Sequence, residues 1–294
     1  MGETIKRESR EFKRNLKRLA QLFLFLIAAY FLFNYLFIKP SNNRDWDYGY
    51  ETIAKLSIDV TKVKINDLRD YQYTSSDTGE IRYKNVEVDI NNLTNAWFVH
   101  EPFTIKPFTN FGGVAHTFFI FDFKDSEPIA VSVEARREKG EKYSAWLGLT
   151  KKYELFYVWG TENDEISRRV IDQKNKLYMY PLQIEKETAQ KLFMQLAETT
   201  IALENTPRFY NTITSNCTNE LAKNVNLIKE NTIPPTNRAL YFPGYADEEL
   251  HKLGFIPKDM PFDEVNAQYD ITETVRENYQ HKDFSKILRQ SIAQ

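Results

Sequence analysis

The sequence predicts an α+β domain, an antiparallel sheet with helices packed against it, carried behind one N-terminal transmembrane helix. Three observations predict it. An unbroken apolar run opens the chain, several β-branched and aromatic stretches separated by turn residues follow, and two segments further on repeat their apolar residues at helical spacing. The bulk properties fit such a domain. At 294 residues the chain has room for one large domain or two small ones. Its 39 Lys and Arg against 41 Asp and Glu leave no strong charge, which argues against nucleic acid as a partner. A single cysteine excludes an internal disulfide framework and a multi-cysteine zinc site.

Residues 1–18 form a basic leader, with seven Lys and Arg against three Glu. Residues 19–38 then run apolar except for Gln21 and Asn34, and as a helix they span roughly 30 Å, the thickness of a bilayer's hydrocarbon core. A cleavable signal has a shorter core and a small-residue cleavage site, whereas this run ends in Phe37-Ile38-Lys39-Pro40. It reads as a retained single-pass anchor. The basic flank puts the N-terminus in the cytoplasm and everything after Lys39 outside it.

Pro40 to Asp45 is a short linker, and the main domain is expected over residues 45–260. Short strands are expected at 56–60, 63–65 and 81–88, with a turn at Asp77-Thr78-Gly79 and with Tyr71 and Tyr73 as ordinary sheet aromatics. Gly112-Gly113 precedes a strand at 114–123, Lys124 to Pro128 is a turn, and 129–137 returns as the next strand. In that hairpin His116 falls near Glu134 or Arg136, and an even-to-even register puts all three on one face. Residues 153–159 make a further strand, 161–172 a polar helical stretch, and 178–182 another short strand.

An amphipathic helix follows at 187–205, with Ala189, Leu192, Phe193, Leu196, Thr200 and Leu203 on one side. Tyr210 to Leu221 holds the lone cysteine, Cys217. Leu221, Val225 and Ile228 follow it at steps of four, four and three, and Ser215 and Asn216 precede it as helix-capping types. Cys217 thus sits in a first helical turn, where the positive end of the dipole favours the thiolate. Beyond Ile233-Pro234-Pro235 the chain is loop-rich, with an aromatic turn at 241–245 and a short helix at 247–253. Residues 261–294 are polar and weakly patterned and read as a C-terminal tail, either a peripheral helix or a partly mobile segment. His100, His251 and His281 have no matching partner in sequence and read as packing or surface residues.

A cysteine at a helix start, a histidine on a buried strand and a carboxylate on the next strand are the parts of a thiol nucleophile: Cys217 attacks, His116 takes its proton, Glu134 orients the imidazole. The rivals are a small buried hydrophobe at Cys217 and a zinc site from the same three residues. No paired-ligand spacing supports the zinc site, so no metal and no cofactor is expected.

The motifs Ala115-His116-Thr117-Phe118-Phe119-Ile120-Phe121, Ser132-Val133-Glu134-Ala135-Arg136, Tyr153 to Val158 and Tyr210 to Thr218 together resemble one bacterial family. It is the family of the periplasmic domain of Lnb-type lipoprotein N-acyltransferases, and the resemblance runs over roughly Asp45 to Ile256. The family is similar to the NlpC/P60 papain-like superfamily, here circularly permuted because the histidine strand precedes the cysteine helix. The resemblance implies acyl transfer at the bacterial inner membrane, from the diacylglyceryl group of a lipoprotein, through a thioester on Cys217, to an amine such as that lipoprotein's N-terminus. It assigns Cys217, His116 and Glu134 as the catalytic residues. Arg136 either contacts an anionic headgroup or holds Glu134, while Asn216 and Tyr210 cap the helix or help the oxyanion. Its partners are then a membrane lipid or lipoprotein substrate. Since Lnb-type acyltransferases carry further membrane spans and this sequence has no second apolar run of spanning length, a membrane-protein partner is also expected. A cysteine peptidase or amidase acting on cell-wall peptides, and a catalytically inert binding domain, are the competing functions.

Overall fold

A computed structural model describes residues 2–75, 78–103 and 113–293. Met1 to Pro40 and Ser41 to Gln294 form two separate compact units. The first is one long helix, α1 (Gly2–Phe37), of which Glu11–Phe37 is long and apolar enough to cross a membrane. Its described apolar side chains from Leu19 to Phe37 are exposed, as in a helix whose apolar surface would face lipid.

In the second unit the strands are β1 (Lys55–Asp59), β2 (Lys62–Arg69), β3 (Gln72–Ser75), β4 (Thr78–Glu80), β5 (Tyr83–Asp89), β6 (Leu93–Pro102), β7 (Ala115–Phe123), β8 (Ile129–Arg136), β9 (Glu154–Thr161) and β10 (Tyr178–Pro181). The helices are α2 (Glu162–Ser167), which runs directly into a π-helical turn at Arg168–Asp172, then α3 (Lys186–Asn205), α4 (Cys217–Ile228), α5 (Ala246–Leu253), α6 (Phe262–Gln268), α7 (Thr272–Asn278) and α8 (Phe284–Ile292). The main sheet has the order β1-β2-β9-β8-β7-β6-β10, with β5 also pairing β2. Every pairing in it is antiparallel except the contact of β2 with β9 at Arg69↔Gly160. The fold is therefore α+β with a mixed rather than a purely antiparallel sheet.

The two faces of the sheet are used differently because side chains alternate along each strand. Phe121 and Trp159 meet Phe193 of α3 edge to face at 5.2 and 5.4 Å, and Tyr157 reaches Glu220 and Asn224 of α4. On the opposite face Phe118 lies under the guanidinium of Arg169, from the π-turn. β7 and β8 pair from Phe121↔Ile129 to Phe118↔Ser132. His116 and Glu134 follow two residues beyond the end of that ladder, in the even-to-even register expected.

Three expectations change. Thr78 and Gly79 belong to a strand of a small β3–β4 hairpin rather than to a turn, with Asp77, like Gly112, lying outside the described residues. Strand β6, which pairs with β7 over its whole length, has no counterpart in the sequence reading. Residues 261–294 are not a tail. They form α6, α7 and α8, and Val265, Ile271, Val275, Phe284, Leu288 and Ile292 are buried in the core. Each of these helices is too short to show periodicity clearly, which is why the stretch reads as unpatterned.

Candidate active site

Helix α4 starts on Cys217 because Asn216 caps it. The Asn216 side-chain oxygen accepts the backbone N–H of Asn219 at 2.8 Å, and the Asn219 side chain accepts the N–H of Asn216 at 3.2 Å, a reciprocal capping box. Ser215 does not cap. Its hydroxyl donates to the buried carboxylate of Glu220 at 2.5 Å. The first-turn N–H groups of Cys217 and Thr218 have no acceptor within the helix, as at any helix start.

The Cys217 sulfur is buried beside the end of β7, 4.0 Å from the Ala115 carbonyl oxygen and 3.9 Å from the Thr218 hydroxyl, and near enough to the His116 imidazole for each to shift the other's proton. His116 Nε2 is 2.7 Å from Ser132 Oγ and 3.3 Å from Glu134 Oε1. That occupies Nε2 and leaves Nδ1 as the nitrogen available to the thiol. Ser132 Oγ in turn donates to Glu134 Oε1 at 3.1 Å. Imidazole, hydroxyl and carboxylate thus run in series, with the thiol beside the imidazole.

The electrostatics follow from those contacts. Burial pushes the Cys217 thiol up, but the hydrogen bond and the charge of His116 outweigh it and the thiol is lowered overall. Burial pulls the His116 imidazole down, and the Glu134 carboxylate together with the Cys217 sulfur outweigh that, so it is raised. Glu134 stays far below the usual carboxylate range despite its burial, because His116, Arg169 and Arg168 all face it. Both protons therefore favour a thiolate–imidazolium pair.

The residues that hold Glu134 are not those expected from sequence. Arg136 does not touch Glu134. It donates to the carbonyl oxygens of Tyr50 and Glu51 and lies over the rings of Trp46 and Phe156, where burial lowers its guanidinium to about 10. It pins the N-terminal segment to the sheet. Arg169 takes the place proposed for it. Its Nη2 donates to Glu134 at 2.6 Å, its Nη1 is 3.0 Å from Glu165 and its Nε 3.4 Å from Glu101. Glu101 is the direct cross-strand neighbour of His116 and is itself held by Asn175 at 2.6 Å. The network continues through Glu165 and Asp164 to Arg69.

Tyr210 does not cap α4. Its hydroxyl is 3.3 Å from that of Tyr143, and burial together with the charge of the nearby Cys217 sulfur raises its phenol well above the ordinary value, so it stays protonated as a donor. His100 is not a surface residue, being buried with Nδ1 2.9 Å from Asp247. His251 is half-buried against the Met260 carbonyl oxygen. Among the described residues no three His, Cys, Asp or Glu side chains converge as metal ligands.

Cys217, His116 and Glu134 line a cavity of about 650 Å³, within the size range of small-molecule sites. Val114, Tyr241, Phe242 and Pro243 give it an apolar wall, and Tyr210 borders it beside the sulfur.

An α+β domain with a buried Cys–His–carboxylate series opening on one cavity defines a protein with the side-chain inventory of a thiol site. More particularly, the chain belongs to the family of the Lnb N-terminal periplasmic domain, whose model matches residues 82–241, a span containing every residue of that series. No curated protein and no solved structure matches. The family makes this a periplasmic Lnb-type domain, and with α1 it fits a single-pass membrane protein.

Proposed function

We propose that the protein is a membrane-anchored thiol acyltransferase that passes a fatty acyl group to an amine through a thioester on Cys217. The observation that carries this reading is the grouping of Cys217 with the hydrogen-bonded set His116, Ser132 and Glu134 on one cavity with an apolar wall, with the thiol lowered and the imidazole raised. The thiolate attacks the carbonyl carbon of a lipid ester, and the first-turn N–H groups of α4, with the Tyr210 hydroxyl, receive the oxyanion. His116 gives its proton to the departing alkoxide as the C–O bond breaks, leaving a thioester and a neutral imidazole. The imidazole then takes a proton from the incoming amine, whose nitrogen displaces the sulfur to give an amide. His116 returns to imidazolium and Cys217 to thiolate once the amine's proton has been passed on.

The acceptor is a lipoprotein N-terminus or another lipid-linked amine, a reading that rests on the family and on the apolar helix at the N-terminus. The basic leader motivates an inner-membrane position with the N-terminus in the cytoplasm. A membrane protein that supplies further lipid-handling surface is a proposed partner.

Intact-mass analysis of the protein purified from cells tests this. The expected result is a hydroxylamine-labile mass increase of one fatty acyl chain on Cys217, absent from Cys217→Ala and greatly reduced in His116→Ala. A peptide-sized adduct assigns the protein to cell-wall amidase chemistry instead, and no adduct under any trapping condition overturns both enzymatic readings.

A further inference from the structure

The proposed donor must be recognised by more than its chain, and one end of the Cys217 cavity is built from cations whose hydrogen bonds are incomplete. Arg168 opens the π-turn and is only 8% exposed. Its Nη2 donates to the Tyr50 hydroxyl at 3.0 Å, while its buried Nη1 has no hydrogen-bond partner among the described residues. Arg137 approaches the same ring. Both guanidiniums lie over Tyr50, at 5.3 Å for Arg168 and 5.1 Å for Arg137. The Nε of Arg137 is likewise buried without a hydrogen bond, and its Nη2 is 3.6 Å from Asp47. Tyr50, Arg137 and Arg168 all line the cavity that holds Cys217.

A buried guanidinium nitrogen without an acceptor is costly, and such atoms are rare unless something completes them. The neighbouring carboxylates do not hydrogen-bond either nitrogen, and Glu165, whose charge also acts on Arg168, is paired with Arg69 and Arg169. Glu134 is already engaged by Arg169, Ser132 and His116, and Asp47 meets Arg137 only at the outer limit of an ion pair. Two cations therefore line the cavity around one tyrosine, each with a planar guanidinium whose hydrogen bonds are incomplete and whose fork matches a phosphate or carboxylate.

We infer that Arg168 and Arg137, both close to the Tyr50 ring, form an anion subsite that binds the phosphodiester of a phospholipid whose ester carbonyl lies at Cys217. This deepens the acyltransfer reading and rests on it for the identity of the ester. A phospholipid is favoured over a peptide because the same cavity has an apolar wall at Val114, Tyr241, Phe242 and Pro243, and because the chain carries its own helix of membrane-spanning length.

The test uses the full chain in detergent with Cys217→Ser, so that the ligand is bound but not consumed. Calorimetric titration compares dihexanoyl phosphatidylglycerol with dihexanoylglycerol, which lacks the phosphate. The phospholipid is expected to bind, Arg168→Met to weaken it about tenfold or more, and Arg168→Lys to weaken it less. Binding of the neutral diglyceride should be weaker than that of the phospholipid and insensitive to Arg168. Unchanged phospholipid affinity in Arg168→Met, or equal affinity for the two lipids in the parent, overturns the subsite. If Arg168→Met fails to fold, Arg137→Gln carries the test, with severalfold weaker phospholipid binding expected and no change overturning the inference. Binding of inorganic phosphate or of a muropeptide in place of the phospholipid overturns the lipid assignment. Phospholipid binding without any thioester on wild-type Cys217 leaves the subsite standing and removes the acyltransfer reading, so the two failures are distinguishable.

Discussion

At Cys217 the chemistry depends on two protons and on who holds them. The imidazole raises the probability of a thiolate by both its hydrogen bond and its charge, and Glu134 keeps that imidazole protonated. A lowered thiol deprotonates below the ordinary thiol range and a raised imidazole keeps its proton above the ordinary histidine range, so both shifts run toward the ionic pair. The rate of iodoacetamide alkylation at Cys217 should therefore climb at a pH below that of an ordinary cysteine. In Glu134→Gln the strongest upward pull on His116 is gone, the imidazole loses its proton at lower pH, and the rise in alkylation should move to higher pH. A wild-type profile indistinguishable from a free thiol would mean that His116 does not act on the sulfur at all. The structure also inserts a residue that sequence spacing did not single out. Ser132 Oγ is closer to His116 Nε2 than Glu134 is, so the carboxylate acts on the ring partly through a hydroxyl.

Helix α4 delivers the sulfur, and its first turn is held by one side chain. Replacing Asn216 with Ala removes the half of the capping box that its side chain makes, leaving its backbone N–H on Asn219, and should cost about 1 kcal/mol, a fall of roughly 2–4 °C in melting temperature for a domain of this size. Asn216→Asp keeps the cap acceptor but loses the amide donor to the Thr212 and Leu240 carbonyl oxygens, so it too should be less stable, and its charge beside the sulfur opposes the thiolate and should shift alkylation to higher pH. Calorimetry and the alkylation profile separate the two effects, and a stable Asn216→Ala would mean that the cap adds nothing. Elements of this kind were legible from sequence because their signals are local. Cys217 to Ile228 and Ala189 to Leu203 repeat at helical spacing, and 115–123 and 129–136 are apolar strands flanked by turn residues. Strand β6 was not legible, since Thr94, Asn95, His100 and Glu101 interrupt its apolar pattern. Arg168, Arg169 and Glu165 hide for the same reason. They sit in a polar stretch that looks solvent-facing, and they are buried only because charges from β2, β6 and β8 meet them there. Pairing between distant elements leaves no periodicity, which is why Arg136, two residues along the same strand as Glu134, was the residue that sequence alone nominated.

Across the whole soluble unit, the last three helices belong to the core that supports the site. Arg289 of α8 forms ion pairs with Asp122 at the far end of β7 and with Glu162 at the start of α2, the helix that leads into the arginine π-turn. Apolar side chains from α6, α7 and α8 join the same buried cluster as Phe193 and Trp159. Six of them, Val265, Ile271, Val275, Phe284, Leu288 and Ile292, at about 1.5–3 kcal/mol each, are worth as much as the entire stability of a typical domain, about 5–15 kcal/mol. A chain ending at Met260 is therefore expected to lose its cooperative melting transition. A milder change tests the same claim without removing the fold. Leu288→Ala, which empties a fully buried position, should cost about 2–5 kcal/mol and lower the melting temperature by roughly 5–15 °C. It should leave the pH dependence of Cys217 alkylation in place, since no contact of the thiol or imidazole changes. A melting temperature unmoved by Leu288→Ala would return these helices to the periphery, and a shifted alkylation profile would mean that the C-terminal helices set the geometry of the site as well as its stability.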